Sequence, residues 1–460
     1  MEADKKTVGA DVMTAAPIRL DIKRTVLVGL AFFTITMFWE VYDSVMPLFL
    51  HDFGLSGLWS GVVMALDNVL ALVLLPFMGL LSDRFPLTLR AKFGRRIPFI
   101  VCGSVLAAVA FLFVNWGHNA HNFAFLMTAT VFVLLFMCLY RTPAVALMPD
   151  VTPKSVRSQG NTVINIMGTV GGVITLLLMT FLLDKKNVSQ SGNWALTACI
   201  AGAMVLSAVI MVFKVRENKL VEEKAELLRS RGITEDDADA PAQKPSLKSA
   251  FASLNGAQLR SLLFILASVF LWYTAYNGVK THFSVFALYV IDVENFTLPL
   301  LVANAAAFIM FVPASVIGKK IGRSKTVMLG VLMLIAGFGS AALLLLFGNK
   351  SLIQFSMYPA FMLVGGGWAT INVHSYVMSV EMATEKTTGT FTGLYYTFVM
   401  SAQIITPILA GAVMDFKPEL LMLYSAVFSV LALVTMSFVK HGNVSAPPPA
   451  AEKSRGGGES

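Results

Sequence analysis

About twelve apolar runs, each long enough to cross a bilayer, dominate this chain and fix its fold class before any motif is read. They lie near residues 25-50, 58-81, 97-115, 123-148, 159-183, 193-213, 260-290, 298-317, 326-347, 352-380, 389-414 and 419-439. A spanning helix needs roughly 20 apolar residues, so the pattern predicts an all-α membrane protein of twelve transmembrane helices. Charge content agrees: 13% of residues are charged and the mean hydropathy is +0.72, against about 25% charged in an ordinary soluble chain. Several runs exceed the hydrocarbon thickness, which predicts tilted helices or helices that continue beyond the lipid.

The pattern breaks once. Residues 214-259 carry a mixed acid and base segment from Lys214 to Arg231, then the acidic run Glu235-Asp-Asp-Ala-Asp239 with Pro241 and Pro245. This reads as a linker, helical at first and disordered around the acidic run. Landmarks repeat across it at a nearly constant offset: Trp39 with Trp272, Gly94-Arg95 with Gly322-Arg323, and Asp150 with Glu381. The chain therefore divides into a polar segment 1-24, a six-helix bundle 25-213, the linker 214-259, a second six-helix bundle 260-440 and a low-complexity tail 441-460. Two pseudo-symmetric bundles with a solute site near the midplane between them is the expected architecture.

Lys and Arg placement in short loops sets the orientation. Lys23, Arg24, Arg84, Arg90, Lys92, Arg95, Arg96, Lys154, Arg157, Lys319, Lys320, Arg323 and Lys325 fall on one side, and little beyond Lys185, Lys186, Lys350 and Lys417 falls on the other. Both termini are placed in the cytoplasm, and the protein in the plasma membrane. The formal charge of +8 thus reports topology. No basic and aromatic surface accompanies it, so no nucleic-acid partner is expected. The first apolar run is too long for a signal-peptide core, so the first helix is retained. Cys102, Cys138 and Cys199 fall within spans without metal-site or redox spacing and read as packing residues. No metal and no cofactor are expected.

Two glycine-marked basic loops carry the most specific signal. Gly79-Leu-Leu-Ser-Asp83-Arg84, a short polar insert and Phe93-Gly94-Arg95-Arg96-Ile97-Pro98 lie between the second and third runs, with a partial echo at Gly318-Lys-Lys-Ile-Gly322-Arg323-Ser-Lys325. The first loop resembles the signature of the major facilitator superfamily. With Tyr140-Arg141-Thr-Pro143-Ala-Val-Ala-Leu-Met-Pro149-Asp150 and Arg157-Ser158, it is similar to the sucrose and glycoside cation symporter branch. Ile97 departs from that branch, where a further arginine is common, and the spacer between Arg84 and Gly94 is longer than in the generic loop. The resemblance implies the major facilitator fold, alternating access and a sugar-like solute. On it, Asp83, Arg84, Gly94, Arg95, Arg96, Asp150, Arg157, Gly322, Arg323 and Glu381 are candidate gating residues. The competing reading is that the arginines only enforce topology.

Coupling chemistry must come from polar groups inside the spans, because a charge near the bilayer centre costs at least about 2.5–3.5 kcal/mol. Glu40 and Asp43 lie three apart, on one face of the first helix; Asp67-Asn68 interrupts the second; Arg141 stands nine residues before Asp150 in the fourth. Burial raises a carboxylate pKa and a nearby arginine lowers it, so Glu40, Asp43 and Asp67 are candidate proton carriers with Arg141 as a switchable counter-ion. The alternative is a permanent ion-pair set that only ties helices together. Buried ion pairs stabilise poorly, which favours the coupling role.

The second half offers Trp272, Tyr273, Tyr276, Asn277, Lys280 and His282 on its first helix. Candidate solute contacts are Trp39, Asn68, Asn161, Asn165, Trp272, Tyr273, Tyr276, Asn277, Lys280, Asn372 and Tyr396, through hydroxyl hydrogen bonds and ring stacking; packing is the competing role for both tryptophans. Glycines 168, 171, 172 and 365-367 permit close helix approach. HExxH, GxxxxGK[ST] and GxSxG are absent from the sequence, so the reading is a transporter and not an enzyme. An intramembrane enzyme or receptor is the different-class alternative. Proton-coupled sugar or glycoside symport is expected. The alternatives are proton-coupled export of a drug-like or metabolic compound and Na⁺-coupled sugar symport. The expected partners are the solute, H⁺ or Na⁺, and the lipid bilayer, with the chain acting as a monomer.

Overall fold

A computed structural model describes residues 18–83, 94–183, 194–231, 251–252, 254–293, 295–347, 350–383 and 387–442. Among these residues, twelve membrane-length helices follow one another: α1 (Ile22–Asp52), α2 (Gly57–Asp83), α3 (Ile97–Asn119), α4 (Phe123–Val151), α5 (Arg157–Leu182), α6 (Trp194–Lys214), α7 (Gly256–Val285), α8 (Thr297–Ile321), α9 (Arg323–Phe347), α10 (Lys350–Glu381), α11 (Thr388–Phe416) and α12 (Leu420–Ser437). Helices are what a hydrocarbon environment demands, since every backbone N–H and C=O must be satisfied within the segment. Eleven of them are apolar enough throughout to be recognised as spans by composition alone. The twelfth, α10, is 32 residues long and is diluted by Gln354, Pro359, Gly365 to Gly367, Asn372 and His374. Phe181, Phe347 and Phe416 are 81–85% exposed, an outer surface that lipid must cover.

The helices form two bundles with the same internal packing. In the first, α1 packs on α5 and α6, α3 on α4 and α6, and α2 on α4; in the second, α7 packs on α11 and α12, α9 on α10 and α12, and α8 on α10. Across the halves α2 meets α11, α5 meets α8, and α1 meets α7. Each contact maps onto another when the halves are exchanged, as a duplicated scaffold requires.

Of the linker, residues 217–230 form a helix, Glu217–Ser230. We call the side that carries it the linker face and the other the opposite face. α7 begins one turn earlier than its apolar run, because Asn255 and Gln258 form a reciprocal capping box. It ends in a π turn, Phe286–Val290. Arg84, Arg90, Lys92, Lys185, Lys186, the acidic run at 235–239 and nearly all of the tail lie outside the described residues.

Gly94 and Gly322 open α3 and α9 at matching places, with φ of 88° and 90°. This left-handed region penalises a side chain. A Cβ on Gly94 would also lie 2.5 Å from the Glu217 carboxylate.

Candidate functional site

The central charges gather where α1 and α7 face each other. Nζ of Lys280 lies 2.9 Å from Oδ2 of Asp43, and the two side chains are 36% and 23% exposed. Glu40, one turn back on α1, is within electrostatic reach of Lys280 and lies near the side chain of Asn304 of α8, whose amide donates to the Leu300 carbonyl at 3.3 Å. Glu40 lies against α5 at Gly172, where a Cβ would sit 3.4 Å from Glu40 Oε1. Tyr276, one turn before Lys280, faces the same three charges. Asp67 of α2 accepts hydrogen bonds from the backbone N–H and side-chain amide of Asn68, at 2.5 and 2.6 Å. It is in electrostatic reach of Asp43 and Arg141. Arg141 is exposed beside Asp67. The cation that meets Asp43 directly is Lys280, expected above as a solute contact.

Aromatic side chains make the second half's wall. Tyr276 stacks with Trp368 at 6.0 Å, and Phe311 meets Trp368 edge-on at 6.0 Å. Tyr396 is 52% exposed and lies against Tyr376, whose hydroxyl pairs with Thr392 at 3.1 Å. Asn372 donates to the Trp368 carbonyl at 2.8 Å, so its amide is partly committed to its own helix. Asn277 keeps a buried amide nitrogen with no partner among the described residues. Trp272 has no exposed surface and lies against Tyr273 at 3.9 Å: the geometry makes it core, and only Tyr273 of the pair is half-exposed. Trp39 is half-buried, edge-on to Phe38 and Tyr42. Asn161 and Asn165 are exposed on α5 and share a helix face with Gly168 and Gly172 by their 4-3-4 spacing. That stripe leads from the linker face to Glu40.

Charged braces close each half at the linker face. Asp83 meets Arg96 at 2.8 Å and Arg95 at 3.7 Å, and both arginines meet Asp150, at 3.0 and 2.6 Å. Arg96 also donates to Ser82. Buried Glu217 accepts from the backbone N–H groups of Arg96 and Ile97 at 2.8 and 3.0 Å, where the helix dipole favours an anion. Arg157 donates to the Pro149 carbonyl at 3.0 Å. In the second half Arg323 pairs with Glu381, the counterpart of Arg95 with Asp150. All of these contacts lie within one half or tie it to the linker helix.

Besides the Asp43–Lys280 pair, further contacts between the halves sit at the opposite face. Asp415, at the end of α11, accepts from the N–H groups of Gly57 and Leu58 at 2.5 and 2.9 Å and so caps α2 of the other half. Gly57 and Gly61 bring α2 onto the backbone of α11 at Gly411 and Pro407. Tyr289 donates to Asp52 at 3.3 Å and stacks on His51 at 4.1 Å. The hydroxyls of Thr180 and Thr297 meet at 2.8 Å.

Comparison with known proteins decides the family. The Major Facilitator Superfamily profile matches residues 28–407. The chain belongs to the Major Facilitator Superfamily. This facilitator is 25% identical over 155 residues to the sucrose transport protein SUC3 of Arabidopsis thaliana, covering 30% of the chain and 25% of SUC3. It is 26% identical over 106 residues to the general alpha-glucoside permease of Schizosaccharomyces pombe, covering 22% and 18%. The matched stretches thus span a quarter or less of those relatives' length. Among solved structures, a mutant of the nucleoside transporter NupG superposes with a TM-score of 0.64 at 13% identity, over 91% of this chain and 100% of that one.

Three residues of this facilitator's arrangement escape a reading of the sequence. Asn304 is one polar residue in an apolar run, and only the fold brings it to Glu40. Trp368 follows three glycines in mid-helix, a signal that was there to read. Asp415 sits at a helix end, where an acidic residue carries no information about its partner.

Proposed function

We propose that this facilitator carries a sugar or glycoside together with protons by alternating access, at the site formed by α1, α2, α4 and α5 of one half and α7, α8, α10 and α11 of the other. The observation that carries the reading is the ion pair of Asp43 with Lys280, which joins the halves beside Glu40 and Asp67. Among the described residues of this site, three carboxylates stand against two cations, Lys280 and Arg141, so one negative charge is left over, and a proton is the smallest ion that can balance it. Protonating Asp43 releases Lys280, and releasing Lys280 frees the halves to move. The sugar-like solute is supported by the aromatic side chains of Tyr276, Trp368 and Tyr396 together with polar Asn161, Asn165 and Asn304, and by the sucrose and glucoside relatives.

The opposite face is latched by Asp415 and Tyr289, whereas the braces at the linker face stay within each half. With the linker face cytoplasmic, as the Lys and Arg placement has it, this is an inward-facing arrangement. Asp83, Arg95, Arg96, Asp150, Arg157, Arg323 and Glu381 then act as bundle braces that re-pair when the inner face closes; Gly94 and Gly322 shape the turns that carry them, and Arg84 is a further gating candidate. The chain works in the plasma membrane as a monomer.

The test is uptake into proteoliposomes across a disaccharide panel under an imposed pH gradient, then an imposed Na⁺ gradient. The pH gradient is expected to drive accumulation and solute addition to alkalinise the medium. Accumulation under the Na⁺ gradient alone, or acidification with no accumulation, overturns the reading.

A further inference from the structure

Nine side-chain polar atoms of the first half are buried without a partner among the described residues, and four of them belong to three residues of α1 and α3: both amide atoms of Asn115, the hydroxyl of Tyr42 and Nδ1 of His118. The three residues are 1%, 3% and 0% exposed. Each such atom costs about 1–3 kcal/mol if nothing meets it, so each calls for a partner. Asn115 and Tyr42 line one cavity of about 10 Å³, with Phe49 and Phe111 among its walls. Roughly 10–15 Å³ and two to four polar partners suffice for one water. His118 stands one turn beyond Asn115 on α3, toward the opposite face.

The neighbours of His118 extend the line in both directions. Its Nε2 lies 3.1 Å from Asp52 Oδ2, and Asp52 is 14% exposed, so it reaches water. The ring stacks on Phe49 at 3.8 Å, meets Phe53 edge-on and has His121 at 6.5 Å; Tyr289 donates to the other oxygen of Asp52. At the inner end, Tyr42 is within electrostatic reach of Asp43 and Asp67.

We infer that Asp52, His118, Asn115 and Tyr42 form a proton path through the first half, from the opposite face to Asp43 and Asp67, separate from the solute cavity. A proton taken up on Asp52 passes to Nε2 of His118, and the proton on Nδ1 leaves for water held by Asn115. That water hands one proton to the Tyr42 hydroxyl, which releases its own toward Asp43 or Asp67. One proton enters and one leaves each group, so only the final carboxylate changes charge; His118 ends as the Nε2–H tautomer and returns to Nδ1–H before the next proton. The path rests on the proton-coupled reading above and gives the proton an entry distinct from that of the solute.

The test uses proteoliposomes with a trapped pH dye and the disaccharide of the panel that the wild type transports. Asn115→Leu and His118→Phe, which keep side-chain branching and ring stacking, are expected to cut solute-dependent proton influx at least tenfold and to leave counterflow of labelled disaccharide within about twofold. Proton influx within twofold of wild type in both variants overturns the path. So does an equal fall of influx and counterflow in monodisperse protein, which marks a packing role. On the wild type, D₂O is expected to slow proton influx more than counterflow, and equal slowing contradicts the path. A wild type that moves disaccharide without protons refutes the coupling reading itself, and the path with it.

Discussion

The ammonium of Lys280 lies 2.9 Å from the carboxylate of Asp43, and this contact ties α7 of one half to α1 of the other at the depth of Glu40. Two residues on different repeats, each costly alone in a membrane interior, stabilise one conformation together and can release it when one is neutralised.

A double-mutant cycle on this pair is the first expected outcome. Lys280→Met leaves an unbalanced carboxylate and lowers thermal stability in detergent; Asp43→Asn with Lys280→Met recovers part of the loss. The coupling energy expected is about 0.5–3 kcal/mol, the range for residues in direct contact. Strict additivity would show that the contact carries no energy.

Asp415→Ala removes the cap that one half places on α2 of the other. Loss of such a cap costs about 0.5–2 kcal/mol, enough to shift the balance between closed and open opposite faces. Spin labels at exposed Ser56 and Lys417, in a background without Cys102, Cys138 and Cys199, should report a longer distance distribution in the variant. An unchanged distribution would remove Asp415 from the latch.

Much of this arrangement is legible in the sequence, and the rest is not, for a physical reason. Apolar runs locate spans because bilayer thickness is a one-dimensional constraint; α2 and α6 fall within a residue or two of their runs. The Gly94 and Gly322 landmarks are legible because a glycine before a helix records a local φ. Glu40 and Asp43 stand out because ionisable groups are costly in lipid. Which cation they meet is decided by how two halves pack, and so Lys280, not Arg141, is the partner of Asp43. Trp272 reads as a ring for stacking and is core, since helix periodicity does not say which face of a buried helix meets a cavity. The cap from Asp415 joins residues at far ends of the chain and leaves no local trace.

Gly94→Ala and Gly322→Ala test the paired glycines. Either places a side chain in the left-handed region, a penalty of roughly 1–2 kcal/mol. Gly94→Ala adds a second penalty, because its Cβ also meets Glu217, and it is expected to be the more damaging. Thermal unfolding in detergent is expected to rank wild type above Gly322→Ala above Gly94→Ala, and the reverse order would contradict the contact.

Glu217→Ala strips the buried carboxylate from the start of α3 and leaves two N–H groups unmet, at about 1–3 kcal/mol each. Loss of stability with faster proteolysis after Arg231 is expected, because the linker helix loses its anchor. Unaltered proteolysis would show that the linker helix is held elsewhere.

Asp43→Asn under an imposed pH gradient tests the central claim most directly, with counterflow and accumulation of the transported disaccharide read on the same proteoliposomes. The account predicts that counterflow persists and that accumulation above the external concentration is lost. Accumulation at the wild-type level in Asp43→Asn would contradict it.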